Sequence, residues 1–364
     1  MSAPTDLRGF IRQLDDCGEL CRVTSQVDWK YELGEWTRKQ HSPLLFEDIK
    51  DYPGQRVLTN GLINRSTIAI AIGLEASTPR KETICQLRKR MSHPISPAHV
   101  ETGPIFENVW TGSQIDLLKL PVPHWNRSDA GRYIGTWHVN VSRDPHDGTY
   151  NLGVYRMQVL SATQATISTS PKSHLGMQFA KAEEAGRPME VAVAIGVSEA
   201  VFIAAAAGYP CGEDEYELAG ALQQEPVSLV KCQTINVDVP ATSEIVIEGL
   251  LRPGVRVLDG PYFDYAGKAT ANPQAYLFEV TAMAFRNSPV FRGAVVGYPQ
   301  AEDIQLFSLL SEVGLFDFHG SRVRRALQIV FLKEGLFRAF QLAGRFGPAM
   351  LRRSSPADKS TEPR

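Results

Sequence analysis

The chain has 364 residues, 43% hydrophobic and 21% charged, with a formal net charge of −2. These values leave room for two or three globular domains with ample core, and they exclude a globally basic surface of the kind that binds nucleic acid. The five cysteines (17, 21, 85, 211 and 232) form no CxxC pair, and neither a secretory leader nor a membrane-spanning apolar run is visible. A cytoplasmic protein with reduced thiols is the expectation.

Leu7, Phe10, Ile11 and Leu14 recur at helical spacing behind Asp6, a natural N-cap, and Gly18 ends this first helix. The stretch 19–27 alternates as a strand, and 31–40 and 82–91 are predicted helices. Short strands at 44–46 and 56–58 flank the Asp51–Gly54 turn. The Pro-rich passage 94–123 is predicted to be connecting loop. From Gly135 onward β-rich segments take over, at 136–142, 150–160, 165–169, 244–251, 275–284 and 290–296. The class is therefore α+β. It comprises an N-terminal α/β domain (1–110), a central split β-barrel-like domain (111–302), a short basic helical segment (303–353) and a disordered polar tail (354–364).

The central part carries the polar side chains that suggest chemistry. Asn151, His174 and Glu215 supply an amide oxygen, an imidazole and a carboxylate, a set that suits Mn²⁺ or Mg²⁺ better than Zn²⁺. Each also has a plainer reading: Asn151 as a turn residue, His174 as a helix cap and Glu215 as a solvated acid. Arg156 lies in the apolar strand Leu152–Val159, where a guanidinium needs a carboxylate partner. Free to do so, it would hold a substrate carboxylate. Asp259 and Asp264 flank Gly260-Pro261, a turn that lets both converge on one site. One tension is that Asn151 and Arg156, five apart, point to opposite faces of an ideal strand; a bulge at Gly153 is the expected remedy. No GxGxxG, P-loop or GxSxG motif supports a dinucleotide, nucleotide or serine-hydrolase site.

Asn151-x4-Arg156, followed 18 residues later by His174, is flanked by Leu120–Pro123, Glu215–Leu222, Leu229–Cys232 and Pro240–Gly249. This pattern resembles the UbiD family of decarboxylases, which use prenylated FMN, and the resemblance runs to about residue 303. It implies that Val154, Tyr155, Arg156, Ser173 and His174 hold the flavin, while a metal at Asn151, His174 and Glu215 ties its phosphate to the protein. K⁺ is a further candidate ion. It also implies that Asp259 fixes Arg156 and that Asp264 shuttles the proton after loss of CO₂. The flavin serves as the electron sink. A flavin prenyltransferase would supply the cofactor, and the partners are a small carboxylic acid and other subunits of a homo- or hetero-oligomer.

Two positions depart from the family pattern. Asp259 stands where the family usually has Glu, which is expected to reset the Arg156 pair, and Phe263 stands where it has Gly, which is expected to reshape the substrate pocket. The family's further C-terminal α/β domain is expected to be replaced by the basic segment, with eight Lys or Arg and only Glu334 as an acid between 322 and 353. This leaves a second reading: a non-catalytic or split-enzyme subunit that keeps the flavin scaffold and binds a partner chain.

Overall fold

The computed structural model describes residues 1–210 and 212–315. Met1–Leu310 form one compact unit; beyond it only Ser311–Leu315, the end of the last helix, is described. The basic segment and the tail expected after it lie outside the described residues.

The N-terminal part carries helices α1 (Leu7–Asp16), α2 (Glu32–Lys39), α3 (Arg65–Ala71) and α4 (Arg80–Met91). Asp6 caps α1 as its position suggests, accepting from Gly9 N–H at 2.6 Å. The sequence gives no periodic signal for α3, because Thr67–Ala71 is buried on every side; its start is fixed by a capping box between Asn64 and Thr67. The helices accompany a four-stranded sheet ordered Cys21–Val23, Leu44–Phe46, Arg56–Thr59 and Val290–Arg292. The stretch 19–27 thus keeps only three residues as strand.

Seven antiparallel strands build the central sheet: β1 (Asn108–Thr111), β2 (His138–Arg143), β3 (Tyr150–Gly153), β4 (Gln164–Ile167), β5 (Met189–Ile195), β6 (Ile245–Phe263) and β7 (Ala269–Phe285). They run in the order β4-β7-β6-β5-β2-β3, with β1 also paired to β7, so the sheet is open and curls into a half-barrel. Register shifts along β6 and β7 bend it. β1 corrects the expectation of loop across 94–123: its alternation is only four residues long, too short to read without its partner. The central strand β5, apolar along nearly its whole length, has neighbours on both edges.

Helices α5 (His174–Glu184), α6 (Glu199–Ala206), α7 (Glu215–Gln223) and α8 (Glu302–Leu315) complete the part that bears the site. The predicted strand 150–160 is broken. The ladder ends at Gly153, residues 154–156 leave it, and pairing resumes only at Met157–Gln158. The remedy for the facing problem is therefore a strand end rather than a bulge. Tyr155 folds back over Gly153, where a Cβ would lie 2.4 Å from the Tyr155 hydroxyl.

Candidate functional site

β2 is buried on both faces, yet every second residue on one face is polar: His138, Asn140 and Ser142. Such a face needs internal partners, because a buried polar group without a hydrogen bond is costly. His138 Nε2 meets Asn140 Oδ1 at 2.8 Å, and the same oxygen accepts from Tyr155 N–H at 3.2 Å. Burial lowers the His138 pKa to about 4, so the ring is neutral and serves as scaffold. Ser142 donates to Gln178 Oε1 at 2.7 Å and accepts from Asn151 Nδ2 at 3.2 Å.

This leaves Asn151 Oδ1 buried with no hydrogen-bond partner among the described residues. Glu215, the first residue of α7, is buried with it; its Oε2 accepts from Leu152 N–H at 3.1 Å. Its other oxygen lies 3.9 Å from His174 Nδ1. Burial pushes the Glu215 carboxyl up to about 7, only partly offset by backbone amides. An orphaned amide oxygen, an imidazole and an uncompensated carboxylate fit a hard divalent cation, so the residues present match the group that the sequence suggests. Neither the turn reading of Asn151 nor the solvated reading of Glu215 survives. The cap of α5 is Ser173, not His174: its Oγ accepts from Gly176 N–H at 3.1 Å.

The second cluster is wired throughout. Arg156 Nε donates to Asp259 Oδ1 at 2.6 Å, and Nη1 reaches Asp264 Oδ2 at 3.3 Å. Thr270 Oγ1 accepts from Arg156 Nη1 at 2.8 Å and donates to Asp264 Oδ2 at 3.0 Å. Asp259 is fully buried behind the arginine, and its second oxygen accepts from Thr166 Oγ1 at 2.6 Å. Burial raises the Asp259 carboxyl, opposed by the Thr166 hydroxyl and the Arg156 charge. The missing methylene at Asp259 therefore leaves the pair intact. Phe263 is absent from the cavity lining, and its ring stacks on Tyr298 at 5.1 Å.

Both clusters open onto one cavity of about 580 Å³. Asn151, Val154, Tyr155, Arg156, His174, Glu215 and Asp264 line it; Asp259 and Ser173 do not. Trp137, stacked on Phe202 at 4.0 Å, and Tyr262 add aromatic surface. Trp137 is held by Glu199, which accepts from its Nε1 at 3.1 Å and pairs with the buried Arg292 at 2.8 Å. Sequence reasoning missed Thr166, Thr270, Ser142 and Trp137, since nothing in a threonine or serine within a strand signals the partner that register brings to it.

The family model described as 3-octaprenyl-4-hydroxybenzoate carboxy-lyase Rift-related domain matches residues 98–299, and the N-terminal domain model of the same carboxy-lyase matches 11–91. The chain belongs to the UbiD family. It is 33% identical over 327 residues to the pyrrole-2-carboxylic acid decarboxylase of Pseudomonas aeruginosa, covering 86% of this chain and 66% of that relative. It therefore spans just under two thirds of that relative's length. Among solved structures, it resembles an evolved dimeric form of the UbiD-class enzyme HmfF from Pelotomaculum thermopropionicum in complex with prFMN. That match has a TM-score of 0.80 and 34% identity, over 86% of this chain and 72% of that one. The vanillic acid decarboxylase of Sedimentibacter hydroxybenzoicus in closed form matches with a TM-score of 0.83 and 30% identity, over 87% and 69%. No helix among the described residues is long and apolar enough to cross a membrane.

Proposed function

We propose that the chain is a non-oxidative decarboxylase of an aromatic or α,β-unsaturated carboxylic acid that works with prenylated FMN and a divalent metal. The observation that carries this reading is the Arg156 guanidinium, gripped by Asp259 and Asp264 at the wall of an aromatic-lined cavity. The relatives with decarboxylase names, and the relative solved with prFMN, support it.

Asn151, His174 and Glu215 would hold Mn²⁺ or Mg²⁺, and Val154, Tyr155 and the start of α5 would hold the flavin; the positive end of that helix favours a phosphate. The bound flavin supplies the electron sink for loss of CO₂. Arg156 binds and orients the substrate carboxylate, and Asp259 with Thr166 fixes the guanidinium plane behind it. Asp264, hydrogen-bonded to Thr270 and Arg156 but partly open to the cavity, delivers the proton to the carbon that has lost CO₂. Subunit association is proposed as well: Leu258 on β6 is a large apolar side chain left exposed, and one relative is described as dimeric.

The test is to purify the chain after co-expression with a flavin prenyltransferase, record its absorbance, and assay CO₂ release from a panel of aromatic and cinnamate-type acids. A flavin chromophore with CO₂ release supports the proposal. A colourless protein that releases none and co-purifies with a second chain favours the partner-binding subunit instead.

A further inference from the structure

The cavity has a wall group that this chemistry does not use. Asp303, in the first turn of α8, is buried and lines the cavity. Its Oδ2 accepts from Gly297 N–H at 3.2 Å, but its Oδ1 is shut off from solvent and has no hydrogen-bond partner among the described residues. The preceding residue shows the contrast. Both Glu302 oxygens are fully engaged, by Arg292 at 3.0 and 2.5 Å and by the backbone amides of Asn60 and Leu62. One acid of the pair is structural; the other keeps half its carboxyl unspent. Buried polar atoms are rarely left in this state in native proteins, so a ligand is the natural partner.

Its placement favours substrate. Gly297 adopts φ +82°, and a Cβ there would lie 2.2 Å from the Asp264 carbonyl oxygen. The same residue thus holds Asp303 through its amide and abuts the backbone of the proposed proton donor. Burial pushes the Asp303 carboxyl up to about 7, against the pull of backbone amides, and no cation among the described residues fixes it as an anion. Its neighbours on the wall, Leu306 and Phe307, are apolar and offer nothing to pair with.

We infer that Asp303 is a specificity-determining residue whose Oδ1 accepts a hydrogen bond from a hydroxyl or ring N–H of the acid substrate, so that acids carrying such a donor are selected over plain hydrocarbon ones. This rests on the decarboxylase reading above. A site built around a hydrogen bond rejects the analogue lacking it, because the site's own buried group is then left unpaired.

The experiment uses the full chain loaded with flavin. Dissociation constants are measured for matched pairs of acids, 3- and 4-hydroxybenzoate against benzoate and pyrrole-2-carboxylate against furan-2-carboxylate, in wild type, Asp303→Asn and Asp303→Leu. In the pair that binds more tightly, wild type is expected to favour the donor-bearing acid by roughly 10- to 100-fold. Asp303→Leu should bring that ratio to about 1 with the flavin absorbance unchanged. If Asp303→Leu fails to fold, the Asn variant, which keeps the Gly297 contact, should still lower the ratio. A ratio near 1 in wild type, or one that survives both substitutions, overturns the inference while CO₂ release leaves the parent reading standing. No binding and no CO₂ from any acid overturns both.

Discussion

The two clusters on the cavity wall differ in how their charges are met. Around Arg156 every strong group finds a partner among the described residues: Asp259, Asp264 and both the hydroxyl and the carbonyl of Thr270 meet the guanidinium, and Thr166 backs Asp259. Around Asn151 the chain supplies ligands but no cation, leaving an orphaned amide oxygen and a carboxyl pushed up to about 7. Under the proposed function, the first cluster serves a substrate that comes and goes, and it must hold its shape alone. The second would take a resident ion, whose charge would offset the cost of burying Glu215. Completeness within the chain thus separates the proposed substrate grip from the proposed metal cradle.

The difference can be broken most severely at Arg156. Arg156→Leu strands Asp259 as a buried, unpaired acid, and should cost about 3–5 kcal/mol of stability with complete loss of CO₂ release. Denaturant midpoints and a CO₂ assay check both. Asp264→Asn should lower turnover by roughly 10²- to 10⁴-fold while stability moves by less than about 1 kcal/mol, because Arg156 keeps Asp259.

Glu215→Gln should give the opposite signature. Mn²⁺ binding falls at least about tenfold by calorimetry, yet the metal-free protein is as stable as wild type or more so, since a neutral amide is what the buried position already favours. The sign of the pH effect follows from the same group. Glu215, with its pKa raised to about 7, is protonated below that value, and only the carboxylate binds metal. Mn²⁺ affinity should therefore weaken as pH falls from 7 toward the ordinary glutamate range, with proton release on binding; Glu215→Gln should lose the share of that dependence that Glu215 contributes. Thr166→Val, which removes one hydrogen bond to Asp259 but no group that meets substrate, should cost about 1–3 kcal/mol in the denaturant midpoint.

Much of the site was legible in the sequence because charge in an apolar context demands an explanation. An arginine within Leu152–Val159 called for acids, and Asp259 and Asp264 answered. Thr166 and Thr270 were illegible for a physical reason: threonine is ordinary in strands, and only the β4–β7–β6 arrangement turns these two toward the cluster. Asp303 was hidden similarly, since an acid in a helix's first turn is what the helix dipole favours anyway. In the fold, α1 announced itself through period and cap, whereas α3, buried on every side from Thr67 to Ala71, and β1, four residues long, carried no period to detect. The expected strand through Arg156 failed because Tyr155 takes the space over Gly153, a tertiary contact that local pattern does not record.

The most direct measurement is the mass of the product when flavin-loaded protein decarboxylates its acid in D₂O. Wild type should place one deuterium on the carbon that lost CO₂, and Asp264→Asn, still carrying its flavin, should form almost none of that product. Full turnover and full labelling by Asp264→Asn would contradict the assignment of the proton to Asp264.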